Sequence, residues 1–143
     1  MPPLRLAPWL GAVSVILALF VAGCASQTAR DMGIDKIAPR KAERLLTTGI
    51  QQYEDGNYKA SAKSLNDALD AGLTFHSDQV AARKYLAFIY CSSGQERACR
   101  DEFRRVFELD PQFTLDPTEE GHPIWGPIYR SVKAEMAARG RAR

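Results

Sequence analysis

Three cysteines and two histidines are the side chains of this 143-residue sequence best suited to redox, covalent or metal chemistry. Cys91 and Cys99 lie four residues on either side of Gln95, on two predicted antiparallel helices joined by a turn, so they should face each other. In an oxidising compartment this placement predicts a structural disulfide. Two buried free thiols or one reactive thiol are the alternatives, but no Cys-x-x-Cys spacing supports redox catalysis.

The two histidines, His76 and His122, lack the spacing to another histidine or a cysteine that a metal site requires. Glu119 and Glu120 precede His122 and are more simply explained as charges at the start of a short helix. We expect His122 to cap the final helix or to hydrogen-bond within the preceding turn. The sequence contains no nucleophile with an oriented base and no phosphate-binding glycine loop. We therefore predict no catalytic residue, metal, cofactor or small-molecule substrate.

The cellular compartment is indicated by the apolar run LGAVSVILALFVAGCAS at positions 10–26. Its firmly apolar part, Leu10 to Ala22, has thirteen residues, whereas a helix that crosses a bilayer needs about 20. Arg5 and the amino terminus supply positive charge before the run, and small residues follow it. This order is typical of a secretory signal peptide rather than of a transmembrane helix.

The tetrapeptide Val21-Ala22-Gly23-Cys24 at the end of this run resembles a bacterial lipobox. The resemblance implies that residues 1–23 are removed and that Cys24 becomes the lipidated first residue. The alternatives are a simple signal peptide or an uncleaved anchor in which Cys24 is incidental. Several acyl chains, at about 0.8 kcal/mol per buried methylene, would attach the protein permanently to the membrane. Because Ala25 follows the cysteine instead of an aspartate, the expected location is the periplasmic face of the outer membrane.

Residues 24–40 show no sustained helical period and end at Ala38-Pro39-Arg40, so we interpret them as a flexible tether. Cleavage before Cys24 would leave 120 residues, which is enough for one modest domain. It would change the net charge from +2 to +1 by removing only Arg5. A near-neutral chain gives no electrostatic reason to expect a nucleic-acid partner.

From residue 41 to residue 143 the sequence has a helical pattern and contains an internal repeat of 38 residues. Gly49 aligns with Ala87, and the turn glycine Gly56 aligns with Gly94. Each copy has two segments whose apolar residues are spaced three, four and seven apart, which is the spacing of a helix face. The arrangement resembles the tetratricopeptide repeat, with Ser61 standing where alanine is usual.

Two hairpins alone would leave apolar faces uncovered at their ends. The C-terminal segment supplies an apolar stripe that we expect to pack against Phe103 and Phe107, after a short helical turn capped at Asp116-Pro117-Thr118-Glu119. The stripe consists of Trp125, Ile128, Tyr129, Val132 and Met136. The predicted fold class is all-α, with two tetratricopeptide-like helical hairpins and a C-terminal capping helix over residues 41–143, after a lipoprotein signal peptide and a short linker.

A binding surface is expected on the inner wall of the hairpins, which is lined by the first helix of each copy. Helical repeats bind extended segments or partner helices along such a wall. Part of it can be covered by the capping helix, because the chain has only two copies of the repeat. The residues predicted to line this partner-binding groove are Leu46, Ile50, Tyr53, Lys84 and Phe88.

A closer resemblance covers nearly the whole mature chain. The stretch KYLAFIYCSSGQERACRDEFRRVFELDPQF, followed by GHPIWGPIYRSVK, resembles the TssQ-type lipoproteins associated with type VI secretion. The resemblance implies an accessory component of that secretion apparatus at the cell envelope. Such a component would act by protein–protein contact with other envelope proteins, and the resemblance supplies no catalytic residues.

Several alternatives for the partner and the activity stay open. A pilotin-like or outer-membrane assembly lipoprotein would share the anchor and the fold, and it would bind a secretin or a barrel-associated segment. An envelope hydrolase would instead depend on His122 or an acidic neighbour. The C-terminal arginines Arg139, Arg141 and Arg143 could contact anionic lipid or an acidic partner, but a solvated terminus is the simpler interpretation.

Overall fold

A computed structural model describes residues 40–142, which form six helices and no strand. The predicted signal peptide (residues 1–23), the predicted lipidation site Cys24 and the predicted tether up to residue 39 lie outside the described residues, as does Arg143. The predicted all-α class is confirmed. None of the described helices is long and apolar enough to cross a bilayer. The helices are α1 (Lys41–Glu54), α2 (Tyr58–Asp70), α3 (His76–Ser92), α4 (Glu96–Leu109), α5 (Pro117–Glu120) and α6 (Gly126–Arg141).

Two tight turns with the same conformation close the helical hairpins α1–α2 and α3–α4. Gly56 in the first turn has a φ of 78°, and Gly94 in the second has a φ of 71°, a region that strains residues with a Cβ. The following residues, Asn57 and Gln95, have φ, ψ of −83°, 59° and −88°, 60°. Their N–H groups donate to the carbonyl five residues earlier, at 2.7 Å and 2.8 Å. The 38-residue repeat predicted from the sequence is therefore present in the backbone.

In the first hairpin, α2 packs directly on the backbone of α1 at Gly49. A Cβ at this position would lie 2.7 Å from Cγ of Leu65, so a larger residue would require that side chain to move. The hydroxyl of buried Ser61 donates to the carbonyl oxygen of Gly49 at 2.7 Å. This bond links the two helices and gives serine a role at a position where the repeat pattern usually has alanine.

In the second hairpin, the position equivalent to Ser61 is Cys99, 38 residues later in the sequence. The structure bonds it to Cys91 across α3 and α4, with 5.1 Å between the Cα atoms, as the spacing of the two residues predicts. Both cysteines are buried. Equivalent positions on α2 and α4 are therefore each linked to the preceding helix, by a hydrogen bond in one hairpin and by a disulfide in the other.

The apolar side chains form two clusters, one for each hairpin and its neighbour. The first cluster lies between α1, α2 and α3, and its most buried members are Leu65, Ala68, Ala82 and Leu86. The second lies between α3, α4 and the C-terminal segment, and it includes Phe88, Phe103, Phe107, Tyr129 and Val132. Three partly buried tyrosines pack against both clusters and join them: Tyr53, Tyr85 and Tyr90.

The helix α6 packs on α4 and covers the end of the second hairpin, which agrees with the predicted capping role. Tyr129 of α6 is fully buried, and its ring centroid lies 5.5 Å from that of Phe103 and 5.6 Å from that of Phe107. Its hydroxyl donates to the carbonyl of Phe113 and accepts from the N–H of Leu115, both at 3.3 Å. One side chain therefore ties α6 both to α4 and to the loop that follows α4.

Candidate functional site

The structure gives the five residues predicted to line a partner-binding groove different degrees of burial. Leu46 and Ile50 lie in the first apolar cluster, where Leu46 is buried, and Phe88 is 2% exposed in the second cluster. The sequence left open whether part of this groove is covered, and the structure buries Leu46 and Phe88 in packing between elements. Tyr53 and Lys84 are partly exposed, and both contact the ring of Tyr85 on α3.

Tyr53 belongs to a continuous row of six rings, here named the aromatic ladder. The row runs from the turn of the first hairpin, across α3, to the turn that precedes α6. Successive ring centroids lie between 3.3 Å and 6.1 Å apart, so each ring contacts the next. Its members, in spatial order, are Tyr58, Tyr53, Tyr85, Phe88, Trp125 and His122.

Trp125 connects the ladder to the capping segment. Its indole stacks on Phe88, with 4.4 Å between the centroids and 22° between the planes. The predicted packing of the C-terminal stripe against Phe103 and Phe107 is made by Tyr129, whereas Trp125 contacts Phe88. The physical reason is its position: Trp125 is the residue before the first turn of α6, so its ring reaches α3 instead of following the stripe along α6.

His122 forms the last step of the ladder. Its ring lies parallel to the ring of Trp125, with a centroid separation of 3.3 Å and an interplanar angle of 2°. Its Nδ1 accepts from the N–H of Ile124 at 3.3 Å, and its carbonyl accepts from the N–H of Gly126 at 2.9 Å. His122 therefore hydrogen-bonds within the turn, one of the two roles expected for it. A Cβ at Gly126 would collide with the carbonyl oxygen of Glu120, so the turn leaves no room for a side chain there.

A partly buried ion pair borders the ladder. Nζ of Lys84 lies 2.6 Å from Oε1 of Glu119, with the two side chains 18% and 23% exposed, and 4.8 Å from the ring centroid of Tyr85. The other carboxylate oxygen of Glu119 accepts from the N–H of Asp116 at 3.3 Å, as the predicted capping turn requires. The backbone carbonyl of Glu119 accepts from Nε1 of Trp125 at 2.8 Å. Glu119 therefore connects α3, α5 and the ladder.

The environment of the aromatic ladder favours the neutral form of the Tyr53 phenol. Burial raises the pKa of Tyr53 to about 12, and the nearby Tyr58, Tyr85 and Glu119 add to the rise. A neutral phenol offers an apolar ring and a hydroxyl that can donate or accept a hydrogen bond. The phenols of this surface can therefore offer ring contact and hydrogen bonds.

The accessible end of the ladder is Tyr58, whose side chain is 48% exposed at the start of α2. Beside it the surface forms a shallow depression of about 650 Å³, large enough to receive a side chain of a partner. The residues lining this depression are Gly56, Asn57, Tyr58, Lys59, Ala60 and Lys63.

Sequence reasoning placed Tyr53, Lys84 and Phe88 on one surface, and the structure does bring these three together. Sequence reasoning did not identify Tyr58 and Tyr85 as members of the same row. A signal for Tyr58 was available, because it follows the turn glycine of the first hairpin and therefore returns next to the end of α1. The spacing of Tyr85 and Phe88 on α3 was a second signal, since residues three apart share a helix face.

Neither histidine lies in a metal-binding constellation: between residues 40 and 142, no group of three or more His, Cys, Asp or Glu side chains could hold a metal ion. His76 is the exposed first residue of α3. Comparison of the chain with protein-family models, with curated proteins and with solved structures found no match.

Proposed function

We propose that the chain is a lipoprotein anchored in the outer membrane through Cys24 and facing the periplasm. In this proposal it is a non-catalytic protein-interaction module and an accessory component of a type VI secretion system. The anchor is supported by the apolar run up to Ala22 and by the lipobox-like sequence that ends at Cys24. The secretion role is supported by the resemblance of residues 84–113 and 121–133 to TssQ-type lipoproteins.

The observation that carries the interaction role is the aromatic ladder with its half-exposed end at Tyr58. Tyrosine and tryptophan are enriched among the residues that dominate binding energy at protein interfaces. The rings behind Tyr58 are already fixed by contact with each other, so a partner would order few additional side chains on binding. A surface of this kind suits an extended segment or a helix of another protein.

The polar groups beside the aromatic ladder can orient such a partner in one register. Lys84 and Glu119 are paired with each other but remain partly exposed, so a partner can reach them without breaking the pair. The hydroxyls of Tyr53 and Tyr85 lie on partly exposed side chains next to them. Polar groups of this type fix orientation, while the rings supply contact area.

The proposal is tested in cells by deleting the gene and restoring it with single variants, with type VI effector export as the readout. Tyr58→Ala should fail to restore export while reaching the membrane in normal amount. Phe75→Ala is the matched control, because Phe75 is an exposed aromatic residue, 62% accessible, without a ring contact among residues 40–142. Normal export in the deletion strain would contradict the secretion role.

The anchor is tested separately with Cys24→Ala. This variant should lack acyl mass and should leave the membrane fraction, whereas the unchanged protein should begin at an acylated Cys24. A mature protein that retains residues 1–23 would contradict the lipoprotein assignment. If deletion instead disturbs secretin or barrel assembly, the pilotin-like alternative is favoured.

A further inference from the structure

Four arginines gather where α4 packs against α6, on helices that contribute no ring to the aromatic ladder. Three of them lie on α4 at spacings of three and four residues, which places them on one face of that helix. The surface beside them forms a depression of about 440 Å³, which is also lined by Glu96 and Asp101. This group, here named the arginine cluster, consists of Arg97, Arg100, Arg104 and Arg139.

The ion pairs of the arginine cluster use fewer carboxylates than arginines. Glu135 of α6 is shared by three guanidinium groups, at 3.3 Å from Arg100, 3.4 Å from Arg104 and 2.7 Å from Arg139. Asp101 pairs with Arg104 at 2.7 Å. These contacts lower the pKa of Glu135, chiefly through the hydrogen bond from Arg104, so its carboxylate stays charged. Two carboxylates therefore pair with three of the four arginines, and Arg97 is left without an ion pair among residues 40–142.

Several donors of the arginine cluster are unused or weakly used. The side chain of Arg97 makes no ion pair or hydrogen bond within the part of the chain that the structure describes. The contacts of the Arg100 guanidinium with the Ser131 hydroxyl are long, at 3.4 Å and 3.5 Å. A guanidinium group has five N–H donors and binds carboxylates well in pairs of bonds. The depression therefore has donors available for an additional carboxylate.

We propose that the arginine cluster is a second docking surface, which binds the carboxylates of an acidic segment of a protein partner through Arg97 and Arg100. Charge complementarity favours this occupant. A phosphate with two charges would meet repulsion from Glu96, Asp101 and Glu135 around the same depression, whereas single carboxylates spaced along a chain can each pair with one arginine. A flat membrane surface would not enter the depression. The proposal does not depend on the type VI assignment.

The test is binding of fluorescently labelled octaglutamate to the purified protein at low ionic strength, measured by fluorescence anisotropy. Arg97→Glu should weaken binding by about fivefold, the equivalent of one exposed charge pair. Lys41→Glu makes the same charge change at an exposed position on α1 and should alter binding by less than about twofold, since screening limits distant charges. Added salt should weaken binding by the unchanged protein.

A second variant separates docking from a structural role. Glu135→Gln removes the internal carboxylate that competes for the cluster, so octaglutamate should bind more tightly even though α6 loses ion pairs. A purely structural cluster would give lower thermal stability without tighter binding. The proposal is overturned if the unchanged protein does not bind octaglutamate, or if Arg97→Glu and Lys41→Glu have equal effects. It is also overturned if vesicles of phosphatidylglycerol bind in an Arg97-dependent manner while octaglutamate does not.

Discussion

The ammonium group of Lys84 on α3 lies 2.6 Å from the carboxylate of Glu119 on α5, although the two residues are 35 positions apart in the chain. Because the carbonyl of Glu119 also accepts from the indole of Trp125, this pair fixes the turn that places Trp125 on Phe88. The aromatic ladder is therefore positioned by a polar contact as well as by stacking of its rings.

Loss of this pair should destabilise the fold. Lys84→Met leaves the carboxylate of Glu119 partly buried without its cation, and we expect the free energy of unfolding to fall by about 1–2 kcal/mol. Lys63→Met is the matched control, because Lys63 pairs with Asp67 at an exposed site where the side chains are 77% and 43% accessible. That control should lower the free energy of unfolding by about 0–0.5 kcal/mol. Urea denaturation measures both, and equal losses would contradict the assigned role of Glu119.

Gly49 should be intolerant of even one methyl group. In Gly49→Ala the new Cβ would lie 2.7 Å from Cγ of Leu65, and we expect a loss of about 1–3 kcal/mol from overpacking. Gly140→Ala, on α6, adds the same group where nothing lies within 4 Å, and it should be neutral or stabilising by up to about 1 kcal/mol. Thermal unfolding distinguishes the two. A stabilised Gly49→Ala variant would show that α1 and α2 are not in close contact there.

The disulfide between Cys91 and Cys99 should contribute to stability by restricting the unfolded chain. For two residues eight positions apart, the loop-entropy relation gives about 2.6 kcal/mol. Guanidinium unfolding with and without a reductant should show a loss of that order. The double variant Cys91→Ala with Cys99→Ala should be insensitive to the reductant. Identical unfolding of the unchanged protein under both conditions would mean that the two thiols are not bonded.

Alkaline pH should reveal the environment of Tyr53. Its pKa of about 12 in the folded protein exceeds the ordinary value of 10.0, so between these pH values the folded state keeps a proton that the unfolded state releases. The stabilising contribution is therefore complete below pH 10 and is lost as the pH rises through about 12. Titration of tyrosinate absorbance should show a late-ionising tyrosine that is absent in Tyr53→Phe. A titration curve unchanged by this substitution would contradict the assignment.

Local features of the fold follow from the sequence with little ambiguity. Gly56 and Gly94 can adopt the positive φ that a tight helical turn needs, and their separation of 38 residues reveals the repeat. The capping turn from Asp116 to Glu119 likewise depends on residues that are close in sequence. In each case the interacting groups lie within a few positions of one another, so residue type and spacing determine the outcome.

The contacts that form the aromatic ladder do not follow from local pattern. Residues 86–89 of α3 are all buried, so the sequence of that helix does not distinguish a core face from a binding face. The contact of Phe88 with Trp125 depends on the path of the loop after α4, and no periodicity in that loop predicts it. For this reason the burial of Phe88 under the capping segment could not be predicted from the sequence.

The most direct test of the interaction role is site-specific photo-crosslinking in native cell envelopes, followed by identification of the captured proteins by mass spectrometry. A photoreactive residue replaces Tyr58 at the exposed end of the ladder in one strain and Phe75 in another, so that both probes are exposed on the same protein. We predict that the probe at position 58 captures envelope components of the type VI secretion system and that the probe at position 75 does not. Capture of only secretin or barrel-assembly proteins, or the same capture from both positions, would contradict the account.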